Sequence, residues 1–321
     1  MKKSLLIILI ILFTTACSFN QPEQIKNKSP ELKAIVEQDL SKVDPKKAAL
    51  GKALFFDPFL SRDRTISCAS CHKAAHSFAD DKPVSIGIKG QEGDRNTPTV
   101  LNTFRLKHLF WDGRAKSLEE QALGPIQNPK EMGEEIDNVI NKLNNLPVYR
   151  IEFEKAFGKG DITKEKLASA IAEFERTLVS KNSAFDRFLS GETNALSDSA
   201  KRGLDLFKGK AMCIACHNGS DLTDGEFHNI GLPSAGDIGR AKISGKSQDT
   251  GKFKTPTLRE ITNTAPYFHN GQFQTLEQVI AYYNAGGGND PLKDPLKEPL
   301  NLSRQEQQDL IEFLRSLSGR N

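Results

Sequence analysis

Methionine is almost absent from this 321-residue chain: Met1, Met132 and Met212 are the only three. There is a single tryptophan, Trp111, against 19 phenylalanines. Alternating, strand-like patterns are scarce, which leaves little room for a sheet-built fold and predicts a mainly α one. Neither sign of charge dominates, with 44 Lys and Arg against 41 Asp and Glu. Removal of a leader containing Lys2 and Lys3 would leave 42 against 41, so there is no electrostatic case for nucleic acid. The apolar run from Leu5 to Phe13 is too short to span a bilayer comfortably.

That run belongs to an export signal. Residues 1–16 carry Lys2 and Lys3, the apolar stretch, then Thr14-Thr15-Ala16 before Cys17. A cysteine after small residues resembles a bacterial lipobox, although Thr14 stands where leucine is usual. Lipidation of Cys17 would tether the chain by acyl chains, placing it in the periplasm on a membrane surface. The alternative is an ordinary secretory peptide that leaves a spare thiol. Residues 17–44 are polar and read as a tether, with a short helix expected from Glu31 to Leu40.

Cysteine is also sparse, and four of the five fall in two copies of one pattern. Cys68-Ala69-Ser70-Cys71-His72 and Cys213-Ile214-Ala215-Cys216-His217 space two thiols to bond the vinyl groups of a porphyrin, with a histidine ready for its iron. The bland alternative is a zinc site built from both Cys-x-x-Cys pairs. Against it, the pairs are 145 residues apart and each has its own histidine. Two covalently bound c-type haems are the better reading.

The halves repeat beyond these motifs. Gly51-x-x-Leu54-Phe55 recurs as Gly203-x-x-Leu206-Phe207, and Thr97-Pro98-Thr99-Val100 as Thr255-Pro256-Thr257-Leu258. At that offset of 158, Gly113 falls on Gly271, Leu118 on Leu276, and Ser117 on Thr275, both as helix N-caps. Leu167, Ile171, Phe174 and Leu178 predict one long helical stretch across Asp161–Leu189. Ser190–Asn194 reads as a linker, Ser197 as a cap, and Ser303 with Glu306 as the capping box of the last helix. The expectation is two cytochrome c-like domains, 45–190 and 191–321, each holding one haem.

The missing methionine now matters, because that side chain is the usual sixth ligand of a small c-type cytochrome. After His217 the candidates are His228, His269, Tyr267, Tyr282 and Tyr283. Leu276, Val279, Ile280 and Tyr283 share the inward face of one helix, and Tyr282 points elsewhere. Tyr283 is therefore either a tyrosinate ligand or a hydrogen-bonded core aromatic. Its counterpart in the first half is Pro125, which cannot ligate iron. The His72 iron would then be open to a small molecule. Met132, 60 residues after His72, is a competing ligand but lies out of register with the repeat.

Arg95-Asn96-Thr97-Pro98-Thr99, Phe110-Trp111-Asp112-Gly113-Arg114, Glu120-Gln121-Ala122, Gly124–Pro129, Glu131-Met132, Phe253–Arg259 and Ala265–Gly271 together resemble the bacterial di-haem cytochrome c peroxidase family. The resemblance covers nearly the whole mature chain. It implies hydrogen peroxide as substrate, Glu131 as acid–base group, Gln121 as the residue orienting peroxide, and Trp111 as an electron relay between haems. It also implies a calcium site at Asn96 with the carbonyls of Thr264 and Pro266, and a supporting position for His269 beside the second haem. His76, His108 and His228 are left as structural. Members needing reductive activation carry Ser-Ile-Gly-His where this chain has Ser85-Ile86-Gly87-Ile88, and methionine where Tyr283 stands. Both departures resemble the MauG-type branch, which oxidises protein tryptophans. The electron donor is then a small cytochrome or cupredoxin, or else a protein substrate. A non-catalytic di-haem electron carrier, or a haem-based sensor, is the alternative from another class.

Overall fold

The computed structural model describes residues 31–33, 40–232, 236–295 and 298–319. The export signal, Cys17 and most of the tether lie outside them. The described chain is mainly helical. Its first half contains α1 (Pro45–Phe55), α2 (Cys68–Cys71), α3 (Leu118–Gln127), α4 (Ile136–Asn144), α5 (Pro147–Phe157) and α6 (Lys164–Glu175). Then come α7 (Ala184–Leu189), α8 (Asp198–Lys208), α9 (Ala241–Ser244), α10 (Leu276–Asn284) and α11 (Arg304–Arg315). Two short strands, β1 (Phe227–His228) and β2 (Phe253–Lys254), pair antiparallel.

Apolar burial divides into two principal cores. One gathers residues between Leu50 and Leu178, with Phe55, Leu167 and Ile171 fully enclosed. The other runs from Phe185 to Leu317 and is centred on Phe207, Leu310 and Phe313. The Gly-x-x-Leu-Phe repeat is a helix-crossing device in both. A Cβ on Gly51 of α1 would sit 1.8 Å from the Ala170 carbonyl oxygen of α6. On Gly203 of α8 it would sit 1.9 Å from the Asp309 carbonyl oxygen of α11. Only glycine lets the backbones approach this closely.

The duplication extends into backbone detail at the same offset. Leu109 bridges Ala115 as Tyr267 bridges Phe273. Left-handed φ recurs at Asn102 and Glu260, and at Phe110 and Phe268. Ser117 caps α3 through the Glu120 amide, and Thr275 caps α10 through the Gln278 amide. Ser197 and Ser303 cap α8 and α11 as expected.

Two local expectations are corrected. The helical stretch across Asp161–Leu189 is broken: α6 ends at Glu175 and α7 starts at Ala184. The segment between them is diverted to tertiary partners. Leu178 O accepts from Asn102 N, Ser180 N donates to Asn102 Oδ1, and Ser180 Oγ donates to Glu260. Ser183 with Asp186 then opens a fresh capping box. The helix expected from Glu31 does not begin there either. Glu31 and Lys33 bond instead to the backbone of Gly219 in a parallel bridge at Leu32.

Candidate functional site

Each half positions its histidine by the same device. Thr99 Oγ1 donates to Ser77 O at 2.5 Å, and the next residue, Phe78, takes a left-handed φ and presents its carbonyl to His72 Nδ1 at 3.0 Å. In the second half Thr257 Oγ1 holds Asp221 O at 2.6 Å, and left-handed Leu222 presents its carbonyl to His217 Nδ1 at 3.0 Å. A carbonyl only accepts, so Nδ1 carries the proton and Nε2 keeps its lone pair. That is the tautomer and orientation a metal-ligating imidazole needs. The Thr-Pro-Thr repeat is thus part of the histidine mounting.

His72 opens onto a cavity of about 820 Å³. Cys68 and Cys71 line it, as do Gln121, Pro125 and Met132 from α3 and the loop that follows. Glu131 completes that wall; burial raises its pKa, against a 2.6 Å hydrogen bond from Asn128 Nδ2 that lowers it. Ile88 does not line this cavity. Its amide donates to Glu131 O at 2.8 Å, and its side chain packs towards Gly133.

His217 opens onto a second cavity, of about 190 Å³. Cys216, Leu276, Val279 and Tyr283 line it, so the expected inward face of α10 is the one observed. Burial first, then the Cys213 and Cys216 sulfurs, push the Tyr283 phenol well above its ordinary value. Tyr282 is occupied elsewhere, donating to Ile230 O at 2.9 Å and accepting from Gly288 N at 2.8 Å.

Trp111, Asn96 and His269 belong to both cavities. Trp111 Nε1 donates to Asn96 O at 2.8 Å, and Asn96 N donates to His269 O at 2.7 Å. His269 is buried, stacked on Phe253 with ring centroids 3.6 Å apart, and pushed down to about 4 by burial. It is neutral at physiological pH. Arg95 crosses between the halves, bonding Asp112 at 2.7 Å and both oxygens of Asp237 at 2.7 and 2.8 Å.

The donor set suits covalently held haem. In the first cavity burial pushes the Cys68 thiol up to about 12 and the Cys71 thiol to about 11. Cys68 and Cys71 line the first cavity and Cys216 the second, so the two Cys-x-x-Cys pairs do not build one zinc site. Among the described residues, only Cys216, Asp224 and His228 bring three metal-ligand atoms together, and a thioether at Cys216 would consume one.

The structure thus gathers His72, Cys68, Cys71, Gln121 and Glu131 at one cavity, and His217, Cys216 and Tyr283 at the other. Thr264 and Pro266 line the second cavity with Asn96, whose Nδ2 is engaged by Lys82 O at 3.0 Å. Sequence reasoning missed Glu175, which is 3% exposed in the first cavity with Oε2 unpartnered and a pKa pushed up to about 8 by burial. Its spacing from Ile171 on the apolar face of α6 was the available signal. His228, weighed as a ligand and left as structural, is held between Asp224 at 3.0 Å and Asp294 at 2.5 Å.

Residues 45–194 match the family described as di-haem cytochrome c peroxidase, and residues 200–318 match cytochrome c. The chain is 40% identical to the methylamine utilization protein MauG of Methylophilus methylotrophus, over 98% of this chain and 94% of that one. It is also 40% identical to cytochrome c551 peroxidase of Nitrosomonas europaea, over 85% of this chain and 80% of that one. Among solved structures, a MauG-like protein associated with microbial copper homeostasis superposes with a TM-score of 0.81 at 32% identity, covering 95% and 96% of the two chains.

Proposed function

Because the chain belongs to the di-haem cytochrome c peroxidase and MauG family, we propose that it reduces hydrogen peroxide at the His72 cavity with electrons relayed from the His217 cavity. One observation carries the reading: equivalent helix positions put Pro125 in one cavity wall and Tyr283 in the other. Proline offers no donor, and the phenol sits beside the second haem motif. Residues 45–190 then form the peroxide-reacting domain and 191–321 the electron-relay domain.

When bound through Cys68 and Cys71, and through Cys213 and Cys216, the two haems supply the iron redox chemistry. The protein supplies the rest. His72 and His217 would each hold one iron, their rings oriented by the carbonyls of Phe78 and Leu222. Gln121 orients peroxide. Glu131, its pKa raised by burial and its carboxyl held by Asn128, gives and takes the proton that moves between the two peroxide oxygens. Trp111, fixed by its bond to Asn96 O, bridges the cavities as the electron relay. Asn96 with the Thr264 and Pro266 carbonyls offers oxygen donors suited to calcium. Export to the periplasm and a lipid on Cys17 complete the picture.

The reductant is a small cytochrome or cupredoxin, or a protein substrate. Tyr283 and Ile88 together favour the second reading, since both resemble the MauG-type branch. The deciding experiment adds peroxide to the fully oxidised protein and then supplies either a reduced cytochrome or candidate proteins from the same compartment. A visible spectral change without prior reduction, followed by oxidation of one donor class, is expected. No reaction with peroxide would end the proposal.

A further inference from the structure

The two cavities differ in charge as well as in ligands. The first contains Arg95, Arg114 and Lys242 beside several carboxylates, with Arg95 paired to Asp112 and Asp237 and Arg114 paired to Asp112. The second contains one lysine, Lys254, and no Asp, Glu or Arg in its wall. Lys254 stands on β2, its amide bonded to Trp111 O at 2.8 Å. Among the described residues its ammonium makes neither a hydrogen bond nor an ion pair. The carboxylate whose charge acts on it, Asp224, is already engaged by His228 Nε2 at 3.0 Å and by Glu226 N at 2.9 Å. Burial accordingly pushes Lys254 down to about 8.

Lys254 is part-buried, and as the one lysine in a wall without carboxylates it can take its anion from whatever fills the cavity. A haem carries two propionate carboxylates. Resting on the haem reading above, we infer that Lys254 is the counter-ion of a propionate on the His217 haem and sets that haem's reduction potential. The lysine charge stabilises the reduced, more negative state of its neighbour, so its loss lowers the potential. Lys254 is a positioning and tuning residue; it touches neither peroxide nor iron.

The test uses the full chain carrying both haems, counted first by the pyridine haemochrome assay. A wild-type count below two defeats the underlying haem reading, independently of Lys254. With two haems present, K254M and K254Q should lower the midpoint potential of the His217 haem and shift its propionate-bending bands in resonance Raman spectra. K254R should keep both near wild type, and the His72 haem should not move. Unchanged potential and bands in both neutral variants overturn the inference. If neither neutral variant is recovered with two haems, recovery of K254R alone supports a requirement for charge. Failure of all three to bind both haems refutes it, because shape rather than charge would then be what the site needs.

Discussion

Tyr283 and Pro125 occupy one position of a duplicated helix, and the proposed division of labour between the two cavities rests on that position. Replacing Tyr283 by Phe removes the phenol oxygen with little change of volume. The visible spectrum of the second haem should change while that of the first stays as it was; an unchanged spectrum refutes the ligand role. Glu131 makes a different kind of prediction. Its raised pKa keeps the proton to higher pH than an ordinary glutamate, so the acid form is lost only as pH rises through that raised value. Glu131→Gln should slow the reaction with peroxide by about 10²–10⁴-fold, the usual worth of a positioned acid–base group. Stopped-flow rates across pH should also lose the limb that Glu131 imposes. These residues were legible because they stand in motifs. Glu175 was not: its spacing from Ile171 puts it on the apolar face of α6, but an acidic residue at a helix end is ordinarily solvated, and its enclosure depends on another element.

Among the elements, the loop after the second Thr-Pro-Thr is pinned by a fully enclosed guanidinium. Arg259 bonds both oxygens of Asp186 in α7 at 2.7 Å and donates twice to Ser220 O, just after the second haem motif. Asp186→Asn leaves that charge buried and uncompensated, which should cost about 3–5 kcal/mol in denaturant unfolding. Burial raises the Asp186 pKa, but the Arg259 charge and hydrogen bonds outweigh it, so the net shift is downward. The stabilisation is therefore complete above the ordinary carboxylate range and lost as pH falls through the lowered folded value. The Asn variant should lack that acid limb. The apolar face located α10, and the Ser197 and Ser303 caps located α8 and α11. Periodicity overran α6, because Leu178 continues the apolar spacing although its carbonyl already serves Asn102. Spacing reports which side chains turn inward, not where the backbone bonds are sent.

For the whole molecule, the repeat made the two-part helical plan legible before any coordinates. It left unseen what joins the parts, because Arg95 and Asp237 are 142 positions apart and belong to no shared pattern. Ile88 carries the prediction at this scale. It packs outside the first cavity and cannot cap iron from within it, so the fully oxidised protein should react with peroxide without a reducing pretreatment. A requirement for half-reduction, seen by titrating with ascorbate before peroxide, would defeat that expectation.

The backbone bonds around Trp111 have one more consequence. Lys254 N to Trp111 O, Trp111 Nε1 to Asn96 O, and Asn96 N to His269 O form a short relay of bonds that begins and ends in the second half. Nothing in that relay has to slide for the cavities to communicate. Electron exchange between them should then be indifferent to solvent friction: flash-initiated transfer rates in glycerol–water mixtures should stay flat as viscosity rises, whereas a rate that falls with viscosity would mean the two halves move before they trade charge.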